Sequence, residues 1–227
     1  MREMMQRLEN ECVMRTAVAR DNFAQFCELN GNSITDRPQF KGSVSASWRE
    51  EIGEADHRLV FCTRHYDLVI LGHPTGPNGL PPDLLERLLL GSGRPLLIAP
   101  PRVSEQLLGT VMVCWKGNGG GDACGRCRKC RSWPKRSTSF SHASKKTTYG
   151  LADLARQLAW HGISAEIEFL PSAAGAAGEM LIATARSHEA DLLVMGGYGH
   201  SRLREFILGG ATRAILSSMT VPTLMSH

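Results

Sequence analysis

DLLVMGGYGHSRLREFILGGATRAILSSMTVPTLMS, Asp191 to Ser226, is the stretch whose reading decides the fold. It opens with DLLVMG, Asp191–Gly196, a continuous apolar run closed by glycine. A parallel strand buried on both faces reads this way. A glycine-rich loop follows, then REFILGGATRAIL as a helix and VPTLMSH (Val221–His227) as another apolar strand. An earlier stretch has the same syntax: DLVILG (Asp67–Gly72), ERLLLGSG (Glu86–Gly93) and RPLLIAP (Arg94–Pro100). Asp67 and Asp191 lie 124 residues apart, about one small α/β domain, so the repeat predicts tandem domains rather than a solenoid.

The remaining elements fit that plan. Met1 to about Leu29 reads as a helix, with Met4, Leu8, Cys12, Ala19, Phe23 and Phe26 at helical spacing and Gly31 closing it. SVSASW (Ser43–Trp48) alternates as a strand, and a short helix is expected over about 53–64. PPDLLERLLL (Pro81–Leu90) is an amphipathic helix with proline in its first turn. GTVMVCWKG (Gly109–Gly117) is a buried strand, LADLARQLAWHG (Leu151–Gly162) a helix ended by glycine, SAEIEFL a strand and AAGEMLIATARSHEA a helix. Strands alternating with helices predict a parallel sheet with helices on both faces.

The chemistry-bearing motif is MGGYGHSRLREFILGGATRAIL. Gly196 ends the strand, Gly199 follows after two residues, and Gly209 after nine more. Glycines let the backbone approach phosphate oxygens. Gly209-Gly210 opens a helix whose free N–H groups and dipole attract anions, and Arg202 or Arg204 offers a charged donor. The same glycines also suit a tight turn with no ligand. The pattern resembles the universal stress protein family, and more narrowly a bacterial tandem member shortened at its N-terminus. The resemblance covers residues 1–117 and 151–227. It implies an α/β, Rossmann-like parallel sheet with tandem domains, the first incomplete at 1–105 (second helix to fifth strand) and the second at 109–227.

The resemblance further implies a non-enzymatic stress-response protein acting through nucleotide or partner-protein binding. Its site would hold Gly196, Gly199, Gly209 and Gly210, with Lys116 near the phosphates of ATP or AMP. Self-association through the edges of the fifth strands is expected: Val221–Ser226 pairs with another strand edge, supplied either by RPLLIA of the same chain or by a second chain. Two departures bear on the ligand. The family's hydroxyl after the last glycine is Gly210, with Thr212 too far along to replace it. The loop after the first strand, often carrying an aspartate in relatives, reads Trp115-Lys116-Gly117. The first repeat's loop, GHPTGPNGLPPD, lacks the glycine spacing. The alternative is an ATP-hydrolysing or nucleotidyl-transferring enzyme of the same superfamily. No catalytic constellation supports that alternative: His73, His161, His188 and His200 stand singly, and no phosphate-loop lysine motif or Gly-x-Ser-x-Gly elbow occurs.

Composition sets outer bounds. With 227 residues, 42% hydrophobic and 21% charged, the chain is that of an ordinary globular protein. No transmembrane run or signal peptide is read, so the expected location is cytoplasmic, with reduced cysteines. Residues 118–150 stand apart. They hold eight basic side chains and one acid, a balance of +7, so the total of +4 leaves −3 for the rest. A mildly acidic body with one basic insert is no nucleic-acid-binding domain, and neither nucleic acid nor membrane is an expected partner.

Three readings compete for that insert, which contains CGRCRKC (Cys124–Cys130). Cys124, Cys127, Cys130 and His142 could bind zinc, but a second spaced knuckle is missing, so no metal is expected. A basic tether could touch phosphates. An altered reading frame explains best the Gly/Arg/Cys/Ser composition and the abrupt return to family-like text. It predicts an irregular segment, SAEIEF without its neighbouring strand, and an uncovered sheet face in the second domain.

Overall fold

The structure is a computed structural model, and it describes residues 2–37, 44–51, 55–73, 82–102, 109–114, 139–141, 148–169, 177–196 and 210–226. The chain divides into two compact units, Met1–Gly53 and Glu54–His227, whereas the sequence repeat places its boundary at 105–109. In the first unit, helix α1 (Arg2–Leu29) precedes two short parallel strands, β1 (Ser33–Ile34) and β2 (Ser45–Ala46). Strand β1 is too short to carry a readable alternation in the sequence. The expected helical face of α1 is mostly open: Met4, Leu8, Cys12 and Phe26 are exposed, and only Cys27 is buried. Phe23 meets Trp48, with ring centroids 5.5 Å apart.

The second unit is built on a five-stranded sheet of order β3-β4-β9-β8-β5. Its strands are β3 (Val69–Gly72), β4 (Leu96–Ala99), β5 (Val111–Cys114), β8 (Leu192–Gly196) and β9 (Thr223–Ser226). All neighbours are parallel except β4 and β9, which run antiparallel with Leu96 opposite Met225. Both hydrogen-bonding sides of β9 are therefore taken up within the chain, by β8 and β4.

Helices cover the sheet according to their apolar stripes. Helices α2 (Ala55–Thr63), α3 (Pro82–Gly91), α5 (Ala177–Ser187) and α6 (Gly210–Ser218) share one cluster with alternate strand residues. Leu84, Leu85, Leu88 and Leu89 of α3, Leu181 and Ala185 of α5, and Ile215 and Leu216 of α6 bury Leu96, Ile98, Met112, Leu193 and Met225. On the opposite face, α4 (Thr148–Trp160) brings Leu154 and Leu158 onto Val111, Val113, Leu192, Val194 and Leu224. The period-2 alternation of strand side chains creates these two clusters from one sheet.

The repeat holds at the level of single hydrogen bonds. Val69 N–H donates to Pro95 C=O at 3.1 Å, and Leu193 N–H to Pro222 C=O at 2.9 Å. The same register follows, Val69 opposite Leu96 and Leu193 opposite Thr223. Helices α1 and α4 also end alike. Gly31 (φ 65°) and Gly162 (φ 73°) sit in the left-handed region that glycine tolerates. The next N–H returns five residues, Asn32 to Cys27 at 2.8 Å and Ile163 to Leu158 at 3.1 Å.

The reading of residues 118–150 requires correction in part. Ser139–Ser141 form strand β6, parallel to β7 (Ile167–Phe169) and next to β5, so SAEIEF does have its neighbour. A strand needs only extended backbone with free N–H and C=O groups, and three residues supply them without an apolar run. The expected uncovered face is also absent where it can be seen: Val111 and Val194 are 0% exposed. The rest of the insert except Thr148–Gly150, including Cys124, Cys127, Cys130 and His142, lies outside the described residues.

Candidate functional site

Three strand ends stand level at one edge of the sheet. In β5, β8 and β9 the chain runs in the same direction, with Cys114 opposite Met195 and Gly196 opposite Ser226. Helix α6 begins at Gly210. Ligands of parallel sheets lie beyond such carboxyl ends. Of the expected contact residues, Gly196 lies in the last position of β8 and Gly210 in the first described turn of α6. Gly199, Gly209 and Lys116 lie outside the described residues, as do His200, Arg202 and Arg204.

Two further neighbours join them. Ser226, 2% exposed, closes β9 level with Gly196, and its buried Oγ has no hydrogen-bond partner among the described residues. A buried hydroxyl without a partner carries a desolvation penalty that a polar ligand or a water relieves. Nothing in the sequence signals this, since Ser226 is a single serine near the chain's end. Cys114 closes β5, and burial pushes its thiol up to about 12. It is a neutral group at physiological pH and no nucleophile. Thr212 is buried on α6.

Among the described residues the candidate histidines do not converge. His161 is exposed beyond α4, His188 lies 3.1 Å from Glu168, and half-buried His73 follows β3. Among the described residues no cluster of three metal-binding side chains occurs. No helix there is long and apolar enough to cross a membrane.

Comparison with known proteins agrees with this architecture. Residues 133–227 match the universal stress protein family. The C-terminal part of the chain thus resembles the universal stress protein family. Over 63 residues it is 35% identical to the universal stress protein Slr1230 of Synechocystis, a match covering 28% of this chain and 21% of that protein. The match therefore spans about a fifth of that relative's length. A universal stress protein from Archaeoglobus fulgidus shares the fold, with a TM-score of 0.64 at 16% identity over 96% of this chain and 79% of that one. A functionally unknown protein from Pseudomonas aeruginosa aligns at a TM-score of 0.50 and 18% identity, over 92% of this chain and 77% of that one. The family match begins inside the basic insert, upstream of β6, in line with the strand found there.

Proposed function

We propose that this chain is a universal stress protein that works by binding an adenine nucleotide, ATP or AMP, or partner proteins, without turning the nucleotide over. The observation that carries the reading is the pairing of Gly196 with Ser226 at the carboxyl edge. It sets a glycine strand end beside a buried hydroxyl with no partner among the described residues. Gly199, Gly209 and Lys116 complete the proposed contact set, with phosphates on the glycine backbone and the lysine. The tandem arrangement and a cytoplasmic location belong to the same proposal. Because β9 and β4 already pair with each other, any second copy of the chain must use another surface.

Calorimetry with ATP and AMP tests the binding half. The expected result is saturable heat, lost in Gly199→Glu because a side chain blocks backbone approach. No heat from the unmodified protein removes nucleotide from the proposal. A steady-state ATPase assay tests the other half. Turnover that disappears in Gly199→Glu assigns catalysis to this site and overturns the non-enzymatic reading.

A further inference from the structure

We draw no further inference here: the strongest candidate, the buried Ser226 hydroxyl at the carboxyl end of β9 beside Gly196, belongs to the site already described.

Discussion

The Asp191 carboxylate accepts the backbone N–H of Thr110 at 2.8 Å, while the Asp191 N–H donates to the Thr110 carbonyl, also at 2.8 Å. This two-way clasp joins residues 81 apart in sequence and sets β5 in register with β8 from their first residues. Asp191→Ala removes the acceptor and leaves the Thr110 N–H half-buried and unpaired. The expected loss is about 1–2 kcal/mol in urea unfolding, against less than about 0.5 kcal/mol for Asp67→Ala, whose carboxylate is exposed. Equal losses for the two would show that the clasp adds nothing to stability.

The helix-ending glycines make a second prediction. At Gly31 and Gly162 an added β-carbon meets nothing within 4 Å, so alanine is opposed by the positive φ alone. Each Gly→Ala change should cost about 1–2 kcal/mol, and asparagine less. Hydrogen exchange distinguishes them: Gly162→Ala should loosen Leu158 and Ile163 in the second unit, and Gly31→Ala should loosen Cys27 and Asn32 in the first.

Met225 tests how far the sheet acts as one body. It is 0% exposed, lies opposite Leu96, and packs in the cluster containing residues of α3, α5 and α6. Met225→Ala is expected to cost about 2–5 kcal/mol. Protection in β3–β4 and in β8–β9 should fall together. A loss confined to β8–β9 would show that the antiparallel seam does not couple the two halves.

Cys114 makes stability depend on alkaline pH. Its thiol titrates at about 12 in the folded chain against an ordinary 9.0, with burial as the cause. Between those values the unfolded chain has lost the proton and the folded chain keeps it. Stability is thus full below about pH 9 and falls as pH rises toward 12, and Cys114→Ala should flatten that fall. At about pH 8, mass-spectrometric mapping should find exposed Cys12 alkylated by iodoacetamide well before Cys114.

Legibility in the sequence followed the range of the forces involved. The strands DLVILG, RPLLIAP, TVMVCW, DLLVMG and VPTLMS were readable because strands buried on both faces must be apolar throughout. The helices were readable by their stripes, and their ends at Gly31 and Gly162 by the left-handed turn that glycine tolerates. Strand β1 and the SFS strand β6 were not, since two or three residues carry no period. They are strands because a neighbour presents backbone groups in reach. At the site, Gly196 and Gly210 stood out from their spacing. Ser226 did not, because an orphaned hydroxyl is defined by what surrounds it.

By itself, then, the sequence determined the family resemblance, the α/β class, the repeated strand–helix–strand unit and the place of the glycine-rich turn, from local periodicity and its recurrence. Tertiary structure decided that β9 lies antiparallel on β4, that Asp191 is clasped while Asp67 is not, and that Ile70 is open while Val194 is sealed. Asp67 and Asp191 open almost the same six-residue text, DLVILG and DLLVMG. Local propensity treats them alike. Only the presence of β5 beside one and not the other separates their roles, because hydrogen bonds and burial belong to neighbours in space.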